Sequence, residues 1–122
     1  MKLNRVLTAS GTALLALLLT SLAWGHATAR NSTPKNGAIL SEPPTQIVIQ
    51  FGNAAKLVSL VVASDDGSRV EVDVSNATSV DGVVGVAVEP LAPGKYRVIW
   101  RAMGIDGHIT AGDFGFEVSA PQ

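Results

Sequence analysis

This chain of 122 residues carries nine basic and ten acidic residues, two histidines and no cysteine. A near-neutral balance argues against nucleic acid and against anionic membrane surfaces as partners. The lack of cysteine excludes disulfides, thiolate metal sites and thiol nucleophiles, so any exported domain here is held by its apolar core alone.

The first element is a targeting segment. Lys2 and Arg5 give a positive start, and a leucine-dense apolar stretch runs from Val6 to Leu19. That stretch is shorter than the roughly 20 apolar residues a membrane span needs. It reads as a secretory signal peptide. Three places satisfy the small-x-small rule for cleavage: after Gly25, after Ala27 and after Ala29. Judged locally, Ala27-Thr28-Ala29 is the best match. Lys2 and Arg5 leave with the leader, so the mature chain holds seven basic residues against ten acidic ones.

The chain beyond the leader reads as all-β. Short runs of alternating hydrophobicity are separated by turn residues at regular spacing, as in sandwiches and barrels. A short strand is expected near Thr28 to Ser32. Pro34, Pro43 and Pro44 then mark an irregular loop or an edge. Ile47, Ile49 and Phe51 alternate with polar or outward positions. Leu57 to Ala63 is a more continuous apolar run, which predicts a strand buried on both sides or nearly so. Asp65-Asp66-Gly67-Ser68 is a turn. Arg69 to Val74 puts Val70, Val72 and Val74 on one face. Val83 to Val88 is another strand, and Pro90 to Gly94 turns the chain. Lys95 to Ala102 sets Tyr96, Val98 and Trp100 against Arg97, Ile99 and Arg101. Ala111 to Val118 closes the domain on Phe114, Phe116 and Val118. About seven strands suit an immunoglobulin-like Greek-key β-sandwich or barrel, and Tyr96 just after Pro93-Gly94 resembles the tyrosine corner of such folds. Met103 is expected as a strand-end core residue. Lys95, Arg97 and Arg101 are expected on a solvated face, and Asp113 as a solvated carboxylate.

The chemistry concentrates in two places. Asp106 and His108 lie between the last two strands, and side chains two residues apart in an extended segment project to one side. Gly107 lets the backbone bend between them. The pair can offer one carboxylate oxygen and one imidazole nitrogen to a single point. An Asp-Gly-His sequence is also an ordinary turn, in which Asp106 bonds its own loop backbone. The second place is His26. A cut after Gly25 would make it the first mature residue, with a free α-amine and an imidazole that together chelate a metal. Three nitrogens and one oxygen match tetragonal Cu(II), whereas Zn(II) prefers a tetrahedral set.

A family resemblance covers nearly the whole mature chain. The block Pro93 to Arg101, then Asp106-Gly107-His108, then Gly112-x-Phe114-x-Phe116-x-Val118, resembles the C-terminal half of the CopC family of exported copper-binding proteins. His26-Ala27, Ser32-Thr33-Pro34, Gly37-Ala38 and Pro43-Pro44 resemble its start. The middle, Lys56 to Glu89, is generic β sequence. The resemblance implies cleavage after Gly25, giving a signal peptide over residues 1–25 and one copper-binding β-sandwich over residues 26–122. It implies that one Cu(II) is held by the amine and imidazole of His26 with Asp106 and His108. Such a site exists only after export, so it implies a periplasmic buffer or carrier in copper homeostasis or resistance. It also implies an inner-membrane CopD-like copper importer as partner. A monomer without enzymatic activity is expected, with no membrane span after cleavage. Binding would weaken as pH falls, because the amine, with an ordinary pKa of about 7.7–8.0, must give up its proton. Family members with a Cu(I) site build it from a methionine-rich loop. Met103 is the one methionine downstream of Met1, so no Cu(I) site is expected. Two other readings stand beside this one: a metal-free immunoglobulin-like structural module, favoured by cleavage after Ala29, and a histidine-brace copper oxygenase.

Overall fold

The computed structural model describes residues 28–121. Nine strands form among them: β1 (Ala29–Thr33), β2 (Ala38–Leu40), β3 (Gln46–Phe51), β4 (Ala55–Ser64), β5 (Arg69–Glu71), β6 (Thr78–Val80), β7 (Val83–Ala87), β8 (Gly94–Gly104) and β9 (Ile109–Val118). They make two sheets, one ordered β1-β3-β7-β6 and the other β2-β9-β8-β4-β5. All pairings are antiparallel except β2 with β9. The all-β sandwich expected from the sequence is the fold observed, with β2 and β6 in addition to the seven anticipated strands.

The inward faces follow the alternation of the sequence. Ile47, Ile49 and Phe51 of β3 meet Val98, Trp100 and Ala102 of β8, with Phe114, Phe116 and Val118 of β9 beside them, and all are buried. Phe51 and Trp100 pack edge to face at 5.2 Å and join the two sheets. Each such aromatic pair adds roughly 0.5–1.5 kcal/mol beyond its buried area. Gly112 sits opposite Trp100 on β9, and a Cβ there would run into the indole ring. A glycine is therefore what lets that ring lie against its neighbouring strand. Tyr96 stacks on Phe116 at 5.7 Å, and its hydroxyl donates to the carbonyl of Ala92. That bond pins the turn before β8 to the strand, in the manner of a tyrosine corner.

Three details differ from expectation. The run Leu57–Ala63 is not buried on both sides. Leu57, Leu60 and Val62 face inward, while Val58 is 39% exposed. The register against β8 shifts between Leu57 and Ser59. A β-bulge at Val58 switches the inward parity from odd to even positions, so a one-sided strand looks like an unbroken apolar run. Arg69–Val74 does not continue as one strand. β5 ends at Glu71, Val70 is exposed, and Val72 and Val74 pack half-buried against the core. Met103 is the third difference. It lies on the outer face of β8 rather than in the core, at 37% exposure.

Several strand ends gather at one end of the sandwich. β8 finishes at Gly104, opposite Ala55 at the start of β4. β3 finishes at Phe51, shortly before β4 begins, and Phe51 pairs with Ala29 at the start of β1. The Gly52 N–H donates to the Thr28 carbonyl at 2.9 Å. The chain thus enters β1 at the end where β8 turns into β9.

Candidate metal centre

The turn between β8 and β9 is tight. Gly107 N–H donates to the Gly104 carbonyl at 3.0 Å, and Gly104 N–H donates to the His108 carbonyl at 3.0 Å. The loop is therefore Ile105-Asp106-Gly107, with Gly107 at φ +80°, the left-handed position that closes a three-residue hairpin. A side chain at that φ would strain the backbone, so glycine is required where the hairpin closes.

This geometry sets Asp106 against His108. One oxygen of Asp106, Oδ1, accepts the His108 backbone N–H at 3.0 Å. The other, Oδ2, lies 2.9 Å from His108 Nδ1. An ionised carboxylate only accepts, so this contact is a hydrogen bond when Nδ1 carries the proton. The two residues that the spacing places together do come together. Spacing alone suggests two donors aimed at one point. The structure adds that Asp106 orients the imidazole, with Nδ1 and Oδ2 side by side. The His108 side chain is 71% exposed and that of Asp106 20%, so the imidazole stands out from the hairpin on a more shielded carboxylate.

The other candidates fall elsewhere. Asp113 pairs with Arg97 at 2.6 Å, both side chains more than half exposed, on the outer face of the five-stranded sheet. It orients no histidine there, in keeping with a solvated carboxylate. Lys95 and Arg101 share that outer face, as expected. Among the described residues no group of three or more histidines, cysteines or carboxylates is placed to hold a metal ion. His26 lies outside the described residues.

The family model for the CopC domain matches residues 29–119. The chain belongs to the CopC family. Copper resistance protein C of Pseudomonas syringae pv. tomato is 32% identical over 111 residues, covering 84% of this chain and 87% of that protein. Protein YobA of Escherichia coli K12 is 25% identical over 112 residues, covering 85% and 90%. Among solved structures, CopC from Methylosinus trichosporium OB3b superposes with a TM-score of 0.68 at 23% identity, over 77% of this chain and 94% of that one. PcoC of Escherichia coli, a methionine-rich copper resistance protein, superposes with a TM-score of 0.58 at 25% identity, over 77% and 99%. The CopC β-sandwich is thus shared across nearly the whole of these relatives. The resemblance drawn from both ends of the sequence holds, and the match spans the generic middle as well.

Proposed function

We propose that this CopC-family protein binds one Cu(II) per chain after export and serves as a periplasmic copper buffer or carrier in copper resistance or homeostasis. The observation that carries this reading is the Asp106–His108 pair, an imidazole nitrogen and a carboxylate oxygen held 2.9 Å apart at the tip of a tight hairpin. Nitrogen and carboxylate donors suit Cu(II), and the pair alone leaves a tetragonal site two donors short. The amine and imidazole of His26 supply those donors once the signal peptide is cut after Gly25. Two things favour that assignment. β1 begins at the same end of the sandwich as the hairpin, and His26 lies two residues before Thr28, within about 7 Å of extended chain. The name of the Pseudomonas relative, a copper resistance protein, supports the cargo. This assignment sets the domain boundaries: a signal peptide over residues 1–25 and a mature domain over residues 26–122.

A binding role without catalysis is the simpler reading. Phe51, Trp100, Phe114 and Phe116 are buried in the core, where they cannot form the exposed aromatic platform on which a histidine-brace oxygenase would hold a polysaccharide. PcoC is methionine-rich, whereas this chain has Met103 and Met1, so we propose no thioether Cu(I) site. The protein acts as a monomer and hands copper to a CopD-like membrane importer.

Two measurements test the reading together. The intact mass of the exported protein is expected to correspond to a chain starting at His26. Titration with Cu(II) is expected to give one equivalent bound, with affinity reduced at least 100-fold by His108→Ala. A chain starting at Arg30, or an unchanged affinity in the variant, would sink the assignment.

A further inference from the structure

Exposed large aliphatic side chains are not spread evenly over this molecule. Of the eight among the described residues, four gather beside the Asp106–His108 hairpin: Ile105 at 74% exposure, Ile109 at 45%, Val58 at 39% and Met103 at 37%. The strand registers make them neighbours. Met103 lies between Lys56 of β4 and Ile109 of β9 in one row across the outer sheet face. Arg101 lies between Ser59 and Ala111 in the next row. Ile105 caps the hairpin tip. Behind Val58, where β5 does not reach along β4, the surface sinks into a groove of about 620 Å³, its apolar lining from Leu57, Val58, Val74, Ala77 and Met103 joined by Lys56, Ser75 and Ser79. Convex aliphatic residues beside an apolar groove form the kind of surface that marks a binding site rather than a solvated face.

We infer that this hairpin face is where a copper-exchanging protein docks, seating an aliphatic side chain in the groove and setting carboxylates against Lys56 and Arg101. The inference rests on the copper reading above and names the face of that same end which the partner touches. The charges select the occupant. Among the described residues Lys56 and Arg101 have no ion-pair partner, unlike Arg97 on the same strand face, which pairs with Asp113. A second copy would bring its own Lys56 and Arg101 to the contact, with Asp106 already engaged by His108. The patch lacks the tryptophan and tyrosine that anchor proteins at a membrane interface, which argues against a bilayer as occupant. An acidic-rimmed protein surface satisfies both the cations and the groove.

The test uses the mature, Cu(II)-loaded chain, followed by hydrogen–deuterium exchange alone and with the CopD-like importer in lipid nanodiscs. Backbone amides of residues 56–59 and 103–109 are expected to gain protection. Ile109→Ser and Lys56→Glu are each expected to weaken this association at least tenfold, while Cu(II) affinity stays within twofold. Lys56→Glu is also expected to make the association less sensitive to salt. Ile39→Ser, a similarly exposed position on β2, is expected to change nothing. Protection that maps elsewhere, equal protection by empty nanodiscs, self-association of the chain alone, or wild-type association in both variants would each overturn the docking face. Absence of any association by a chain that binds Cu(II) normally would also overturn it, and would leave the copper site standing. Loss of the copper reading has its own signature, an affinity indifferent to His108→Ala.

Discussion

At the scale of single residues, the proposed site turns on a carboxylate that makes two contacts. Asp106 accepts the His108 backbone N–H with one oxygen and holds Nδ1 with the other. Asp106→Asn separates those contacts. The amide oxygen still accepts the backbone N–H, but the amide NH₂ is a donor and cannot face a protonated Nδ1. The ring must then turn or move its proton to Nε2. Cu(II) affinity is expected to fall at least 10-fold, because Asp106 is both a proposed ligand and the partner that orients His108. A competition titration against a chromophoric chelator reads this, and wild-type affinity in the asparagine variant would remove Asp106 from the site. Gly107 contributes differently. Its φ of +80° with nothing near the absent Cβ makes Gly107→Ala a strain problem rather than a clash. A cost of ~1–2 kcal/mol is expected in denaturant unfolding, with the Asp106–His108 geometry loosened as the turn opens.

At the scale of elements, the frame under the hairpin is the cross-strand contact of Trp100 with Gly112. Adding a methyl in Gly112→Ala forces the indole aside, because the new Cβ would overlap the ring. Overpacking of this kind costs ~1–3 kcal/mol. Trp100 is the tryptophan of the described region, so its fluorescence should report the change directly, and an unaltered emission with unaltered stability would contradict the packing described. Elements of this kind also show what a sequence makes legible. The strands β3, β8 and β9 are plain because each buries one face, and a buried face writes period-two alternation into the chain. β2 and β6 are not, because each is three residues long and none of their side chains is fully buried. β4 misleads for a physical reason: the bulge at Val58 changes which parity faces inward, so two offset alternations read as one continuous run. At the site, Asp106 and His108 are legible from their spacing around a glycine. Their mutual contact is not, because it arises from the hairpin closure at Gly104 and Gly107. Met103 is hard to place because an apolar residue at a strand end carries no signal of which face it joins.

At the scale of the whole molecule, Asp66 and Tyr96 sit at the end of β4 and β8 away from the hairpin, and both titrate abnormally. Hydrogen bonds from the Ser68 side chain and backbone hold Asp66 below its ordinary value of 3.8. Ser75 does the same for Asp73, in the crossing between β5 and β6. Tyr96 is raised above 10.0, by burial first and then by the charges of Asp66 and Asp65. The signs give a stability plateau with two edges. A depressed carboxylate contributes stability above its unfolded value, lost as pH falls below about 4 through the lowered folded value. A raised phenol contributes stability below its unfolded value, lost as pH climbs past about 10 through the raised folded value. Unfolding of the mature chain across pH should therefore show weakening at both extremes. Asp66→Asn is expected to flatten the acid edge, and Tyr96→Phe the alkaline edge, the latter with a loss of about 1 kcal/mol at neutral pH from the missing bond to Ala92. The proposed copper site lies at the other end, so its contribution should be separable. At a free concentration 100 times its dissociation constant, Cu(II) is expected to raise stability by about 2.7 kcal/mol. His108→Ala should abolish that increment while leaving the Asp66 and Tyr96 edges where they were. If instead the variant moved either edge, the two ends of the sandwich would be coupled, and the metal end could not be treated as a site mounted on an independent frame.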